Sequence, residues 1–164
     1  MIILDNTVLS SLAHIDMLDA PSKLFGEVII PGAVYYEGVI KAKKSERVAK
    51  IKRSIEDGLI KIIEPTKRDI EVAEGLQKTL GLGERYTIAI GISKKCLIAT
   101  DDLKPRKAAK ALKLDVIGTL GILRLAYKRN LIDKADLRES VKKLHDILYF
   151  TEDLEKWVLS DKNR

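Results

Sequence analysis

Hydrophobic residues along the chain fall in short runs that alternate with longer stretches of mixed polar and apolar residues. This alternation predicts parallel strands that are joined by helical crossovers. The near-continuous Ile, Val and Leu content of the runs is typical of strands that are covered on both faces. The five predicted strands are Met1–Leu4, Val28–Ile30, Ile60–Ile63, Leu97–Thr100 and Val116–Ile117.

The stretches between and after these runs have helical character. Pro31 predicts the first turn of one helix, and a second is expected from Gly83 to about Ser93. A short helix is predicted within Thr151–Arg164, because acidic residues lie near the start of that segment. Another helix is predicted over Leu137–Leu148 by an apolar stripe of Leu137, Val141, Leu144 and Leu148. The chain is therefore expected to form a three-layer α/β/α domain with a five-stranded parallel sheet and extra C-terminal helices.

Composition narrows the class of protein. No apolar run reaches the roughly 20 residues that span a bilayer, and the N-terminus lacks a secretory pattern, so we expect a cytoplasmic protein outside the membrane. Cys96 lies in an apolar run and predicts a buried thiol, while His14 and His145 stand far from any partner at zinc-ligand spacing. Lys and Arg number 30 against 24 acids, a net charge of +6 that favours polyanionic partners.

Acidic residues follow two of the predicted strands. Asp5 comes directly after the first strand, and Asp101 and Asp102 follow the fourth. Because the carboxyl ends of parallel strands meet at one edge of a sheet, we expect these carboxylates to lie close together. The structural alternative is that each acid caps the helix that follows it.

Two further acids occupy helix positions that should be apolar. Glu84 aligns with Ile88 at helical spacing, and Glu37 aligns with Ala33 and Ile40, so both are predicted to point inward. A buried carboxylate needs a compensating partner, and a bound cation is one. The alternatives are a favourable charge at a helix N-terminus for Glu84 and a salt-bridged surface acid for Glu37.

The order of these residues resembles the PIN domain. The nearest likeness is to the prokaryotic branch that contains VapC-like toxins, in which the third acid follows a Gly-rich turn. The resemblance covers Met1–Leu131 as a nuclease domain and leaves residues 132–164 as a C-terminal helical extension of the same domain. The motifs that carry it are Asp5 with Thr7, then Glu37, then Gly81-Leu82-Gly83-Glu84, then Thr100-Asp101-Asp102.

The resemblance implies a metal-dependent endoribonuclease that forms a homodimer and, as a toxin, would have an antitoxin partner. It implies Mg²⁺ or Mn²⁺ as the cofactor and RNA as the substrate. Thr7 and Thr100 would supply supporting hydroxyls, and Asp101 remains an alternative to Asp102 as a metal ligand. The carboxylates implied to be catalytic and to bind metal are Asp5, Glu37, Glu84 and Asp102.

The chemistry agrees with these residue types. Carboxylates are hard oxygen ligands suited to Mg²⁺ or Mn²⁺, and one or two such ions can activate water and stabilise a departing oxygen. A haloacid-dehalogenase-like phosphatase would need a second Asp at position 7, where this chain has Thr7. A receiver domain would need an acidic pair after the first strand. A Rossmann site would need G-x-G-x-x-G directly after a strand. The rival of a different class is a non-catalytic PIN-fold module for RNA binding or assembly.

Two surface hypotheses follow from the sequence. The basic segment Lys41–Arg53 is either a solvated helix face or a guide for RNA phosphates toward the acidic site. Apolar residues of the C-terminal segment exceed the needs of one small core and predict self-association. These are Leu131, Leu137, Tyr149, Phe150 and Trp157.

Overall fold

A five-stranded parallel sheet forms the centre of the protein. The computed structural model describes residues 1–161. The strands are β1 (Ile2–Leu4), β2 (Val28–Pro31), β3 (Lys61–Ile63), β4 (Leu97–Ala99) and β5 (Val116–Ile117). They are ordered β3-β2-β1-β4-β5, and every neighbouring pair is parallel. All five predicted strands are confirmed to within one residue at either end.

Ten α-helices and one π-helical turn connect and cover the strands in the described part of the chain. No helix within residues 1–161 is both long and apolar enough to cross a membrane. The helices are α1 (Asn6–His14), α2 (Ala20–Phe25), α3 (Gly32–Tyr35), α4 (Glu46–Glu56), α5 (Lys67–Glu74), α6 (Leu82–Lys94), α7 (Leu103–Ala111), α8 (Thr119–Lys128), α9 (Lys134–Leu144) and α10 (Glu152–Leu159). The π-helical turn, Tyr36–Ile40, continues α3.

Alternate residues of β1, β2, β4 and β5 enter two separate hydrophobic cores, as expected for strands covered on both faces, whereas the edge strand β3 contributes only Ile63. In β1, Ile2 and Leu4 pack into the core under α1 and α8, whereas Ile3 packs into the core under α6. Cys96 is buried in the second core, as predicted, and burial raises the pKa of its thiol. The predicted three-layer α/β/α fold is confirmed.

The C-terminal helices pack against α8 and α1. Helix α9 begins three residues before the predicted Leu137, because Asp133 and Asp136 form a capping box there, and it ends at Leu144. Helix α10 lies within the predicted segment, of which residues 162–164 fall outside the described part. Lys134 and the buried Arg124 donate hydrogen bonds to the carbonyls of Val158 and Leu159 at its end and of Ser160 and Asp161 just beyond it. These cations hold the end of α10 against the domain.

Candidate functional site

Asp5 lies at the carboxyl edge of the sheet, directly after the central strand β1. Its Oδ1 accepts hydrogen bonds from the backbone N–H of Val8 at 3.0 Å and from the hydroxyl of Thr7 at 2.6 Å. The alternative that Asp5 caps the helix that follows it is therefore correct for its Oδ1. The other oxygen, Oδ2, is buried and has no partner at hydrogen-bond distance and angle among residues 1–161, although the Thr100 hydroxyl lies near enough to lower the pKa of this carboxyl.

Burial governs the charge of Asp5, which is only 1% exposed. Desolvation raises the pKa of Asp5 from 3.8 to about 6. The hydroxyls of Thr100 and Thr7 and the N–H of Val8 offset part of this increase, while the charge of Asp101 adds to it. An ionised carboxylate with one unpartnered oxygen is unfavourable in such a setting, and a cation beside Oδ2 would remove that cost.

Glu37 lies in the π-helical turn that continues α3. A π turn holds more residues than an α-helical turn, so side chains do not follow 3.6-residue spacing there. The prediction that Glu37 shares an inward apolar stripe with Ile40 is wrong, since both side chains are exposed. Glu37 reaches the start of α6 instead, where its Oε2 lies 3.3 Å from the position a Cβ would take on Gly83.

Glu84 lies in the first turn of α6 and is partly buried. Its Oε2 accepts a hydrogen bond from the backbone N–H of Gly81 at 2.7 Å. Ile88, one turn further on, is fully buried, whereas Glu84 is only partly buried. The same carboxylate thus stabilises the helix N-terminus and borders the acidic edge of the sheet.

The acidic pair after β4 separates into two directions. Asp102 is exposed at the N-cap position of α7 and makes no side-chain capping bond. Asp101 turns toward α8, where its carboxylate accepts hydrogen bonds from the Thr119 N–H at 2.7 Å and the Thr119 hydroxyl at 2.6 Å. The hydroxyl of Ser11 approaches it at 3.4 Å. Burial raises the pKa of Asp101, an effect that these hydrogen bonds partly offset.

The two predicted threonines connect the loops that carry the acids. The hydroxyl of Thr7 donates to Asp5 and accepts a hydrogen bond from the Asp101 N–H at 3.1 Å. The buried hydroxyl of Thr100 accepts one from the Asp102 N–H at 3.3 Å. Both side chains therefore fix the backbone that follows a strand.

Four of the predicted carboxylates line one cavity of about 270 Å³, namely Asp5, Glu37, Glu84 and Asp102. Asp101 is not among its lining residues. Within residues 1–161, no three Asp, Glu, His or Cys side chains are grouped closely enough to hold a metal ion. The four carboxylates therefore line a common space without being drawn together into a ready-made cluster.

The residues of this cavity suit a hard divalent cation. All its ionisable groups are carboxylates, which are the ligands that Mg²⁺ and Mn²⁺ prefer. The buried Oδ2 of Asp5 supplies a ligand atom that has no partner within the described residues. Glu37 and Asp102 are exposed enough to change rotamer toward it.

Sequence reasoning missed Asn6 as part of the cavity. Its Oδ1 is buried without a hydrogen-bond partner in the described chain and lies against Gly38, where an added Cβ would come within 2.4 Å of it. A glycine inside a helical pattern indicates that another group packs closely against the backbone, and Gly38 is such a glycine. The partnership of Asp101 with Ser11 and Thr119 had no comparable signal, because distant segments supply the three residues.

A family model for the PIN domain matches residues 1–160, and the chain therefore belongs to the PIN-domain family. PIN-domain proteins are generally nucleases that act on nucleic acids and use divalent metals. No curated protein matches the chain significantly.

Proposed function

We propose that this protein is a metal-dependent endoribonuclease that hydrolyses RNA phosphodiester bonds at the cavity of the four carboxylates. The observation that carries the proposal is Oδ2 of Asp5, a buried carboxylate oxygen without a partner in the described chain, in a cavity shared with three other acids. A structural cap alone would not require this oxygen to be buried or the other three acids to face it.

Asp5, Glu37, Glu84 and Asp102 would hold the metal. A bound divalent ion would activate water and neutralise charge on the scissile phosphate. The chain's own part is to position the carboxylates: Thr7 and Val8 fix Asp5, and the capping bond to Gly81 fixes Glu84. Glu37 and Asp102 make no such bonds among residues 1–161. Their side chains are therefore suited to move with a bound substrate or to accept a proton from water.

The reaction is a hydrolysis. The oxygen of water forms a bond to phosphorus, and one P–O ester bond breaks. One proton of that water goes to a nearby carboxylate, and the departing ribose oxygen takes up a proton to become a hydroxyl. Asp102, which lines the cavity and is exposed, is the residue we assign to the proton from water.

Cleavage and metal binding can be tested with one pair of variants. Wild type should cleave a labelled RNA in Mg²⁺ or Mn²⁺ but not in EDTA, and Asp5→Asn should lose both cleavage and calorimetric metal binding. Asp115→Asn is the matched control, because Asp115 is an exposed acid at the opposite edge of the sheet, just before β5. If wild type neither binds metal nor cleaves RNA, the non-catalytic RNA-binding or assembly module replaces this proposal.

The finer biological role within this proposal is a toxin of the VapC-like kind, with an antitoxin as partner and a cytoplasmic homodimer as the active form. Purification of the tagged chain from its native host should recover a small protein that suppresses cleavage when added back. Sedimentation of the purified chain should give the mass of a dimer. Cleavage that no copurifying protein inhibits would indicate an RNA-processing nuclease instead.

A further inference from the structure

A second cavity, of about 590 Å³, borders the acidic one and is largely apolar. It lies between α7, β5, α8 and α10, and its floor includes Gly118 and Gly121. Two aromatic side chains stand at its rim: Tyr149 is 95% exposed and Trp157 is 48% exposed. We call this cavity the aromatic groove. The ring of Tyr149 adds little to the core, and the half-exposed ring of Trp157 has the Arg124 guanidinium 6.0 Å from its centroid, so both rings keep surface that a ligand can cover.

The aromatic groove and the acidic cavity occupy adjacent parts of the same sheet edge. Asp101 lines the groove and Asp102 lines the acidic cavity, so consecutive residues face the two sites. The groove lies beyond β4 and β5, whereas the acidic cavity lies at β1, α3 and α6. A strand bound across this edge would pass directly from one site to the other.

The charged side chains that line the groove are Asp101 and Arg106, and the carboxylate of Asp101 is engaged by the N–H and hydroxyl of Thr119. Arg106 lines it and makes one hydrogen bond in the described chain, from Nη2 to the Thr100 carbonyl at 2.8 Å. A guanidinium has further N–H donors for a phosphate. Lys104 and Lys107 are exposed on the same helix, α7.

None of the three acids of α10, which are Glu152, Asp153 and Glu155, is among the residues that line the groove. Glu152 pairs with Lys156 and Glu155 with His145. Both acids line a different surface depression, whereas Leu154 and Trp157 of the same helix line the groove. The groove wall from α10 is therefore apolar and aromatic.

We propose that the aromatic groove is a subsite for single-stranded RNA, in which unpaired bases stack on Tyr149 and Trp157 while a phosphate contacts Arg106. The inference rests on the proposed function, since it names the form of the RNA that reaches the acids. Stacking on exposed aromatic rings beside a cationic track is how proteins hold single strands without reading their sequence. A duplex, whose bases are already stacked, offers the groove no exposed ring faces.

Trp157 is the only tryptophan of the chain, so its fluorescence reports on the groove directly. Wild type in EDTA would be titrated with a 12-nucleotide single-stranded RNA and with the duplex of the same sequence. We expect saturable quenching of Trp157 by the single strand and binding of the duplex that is roughly tenfold weaker or more. Quenching that is absent, or equal for the two RNAs, would overturn the proposal.

Tyr149 offers a sharp variant, because a side chain that is 95% exposed can be removed without disturbing the fold. Tyr149→Ala should weaken single-strand affinity roughly fivefold or more, and Tyr149→Phe should restore it, since stacking needs only the ring. Leu112→Ala is the control, because Leu112 is 45% exposed at the far end of α7. Unchanged affinity in Tyr149→Ala would contradict the proposal.

The competing occupant is a protein surface, either a second copy of the chain or a partner. In that case Tyr149→Ala would change the sedimentation coefficient and leave RNA affinity unaltered, which overturns the RNA subsite. The binding assay also separates this inference from the proposed function. Cleavage that persists at full rate in Tyr149→Ala defeats the subsite alone, whereas intact Trp157 quenching without any metal-dependent cleavage defeats the nuclease alone.

Discussion

The backbone N–H of Gly81 donates a hydrogen bond to Oε2 of Glu84 at 2.7 Å, so an acid of the candidate metal site also caps the helix that carries it. The two roles can be separated by substitution. Glu84→Gln retains an oxygen for Gly81 but loses the charge, so it should keep wild-type stability and lose metal affinity. Glu84→Ala should lose metal affinity and also roughly 0.5–1.5 kcal/mol of unfolding free energy.

Thermal melts in EDTA and calorimetry with Mn²⁺ would measure these two effects. Equal metal affinity in wild type and Glu84→Gln would mean that Glu84 is a structural cap only. The acid would then leave the list of proposed ligands.

Asp5 should make the metal-free protein less stable as the pH rises. Its pKa is raised from 3.8 in the unfolded chain to about 6 in the folded one, so the folded state binds the proton more tightly. Stability therefore falls between about pH 4 and pH 6 and stays low above, by at most about 3 kcal/mol. Asp5→Asn lacks this loss and should melt higher than wild type in EDTA above pH 6.

The difference in melting temperature between Asp5→Asn and wild type, measured in EDTA from pH 4 to pH 8, should grow up to about pH 6 and then level off. Metal should reverse the order, because it binds only folded wild type. A difference that is independent of pH would show that Asp5 carries no unfavourable charge.

Asp101 and Asp102 should respond oppositely to the same substitution. Asp101→Ala leaves the donors of Thr119 and Ser11 without an acceptor and should cost roughly 1–3 kcal/mol of unfolding free energy. Asp102→Ala should be almost neutral in stability, since Asp102 is exposed and makes no capping bond, yet it should abolish cleavage. Full cleavage by a folded Asp102→Ala would move the catalytic role elsewhere.

Gly83 should matter for the position of Glu37. A Cβ on Gly83 would lie 3.2 Å from Val34 Cγ2 and 3.3 Å from Glu37 Oε2, so Gly83→Ala must displace the carboxylate by a few tenths of an ångström. We expect cleavage to fall severalfold with a small loss of stability. Gly75→Ala, where the nearest atom is 3.4 Å away, is the control and should cleave at the wild-type rate.

The basic segment after the π turn should contribute to RNA affinity through charge. Lys43, Lys44 and Arg47 are exposed, whereas Lys50 is engaged by Asp16 and Glu46. Replacing the three exposed residues by Ala should weaken RNA binding and flatten its dependence on salt. Replacing Arg129, Arg138 and Lys142 by Ala should alter the salt dependence less, because these exposed residues lie at the end of α8 and on α9 and none of them lines the acidic cavity. If replacing Lys43, Lys44 and Arg47 leaves the salt dependence of RNA binding unaltered, the basic segment is a solvated helix face and does not guide RNA.

The strands and the acids that follow them could be predicted from the sequence, because burial on both faces leaves a continuous apolar run that ends at a polar residue. Asp5, which directly follows β1, was located at the edge of the sheet for this reason. Helix ends were placed less well. Pro31 was predicted to lie in the first turn of a helix, but it is the last residue of β2 and the extended N-cap of α3, which begins at Gly32. Proline is compatible both with the end of a strand and with the start of a helix.

The direction of side chains outside regular elements could not be predicted. The choice between Asp101 and Asp102 depends on Thr119 and Ser11, which lie far apart along the chain and meet only in the folded protein. Leu137 was predicted to be surplus to the core but is fully buried, because α9 packs against the domain. Tyr149 and Trp157 are exposed, whereas Leu137 belongs to the apolar stripe that predicted its helix, so the periodicity already indicated its burial.

The π-helical turn at Tyr36–Ile40 makes the acidic cavity sensitive to chain length as well as to residue type. Deleting one residue within it would restore α-helical spacing, and each following side chain would rotate by about 100° around the axis. A chain with all its acids intact could thus lose the approach of Glu37 to Gly83 through a single-codon deletion. When distant homologues are compared, the register of the alignment at this turn will decide whether an acid that matches Glu37 in sequence also faces the cavity.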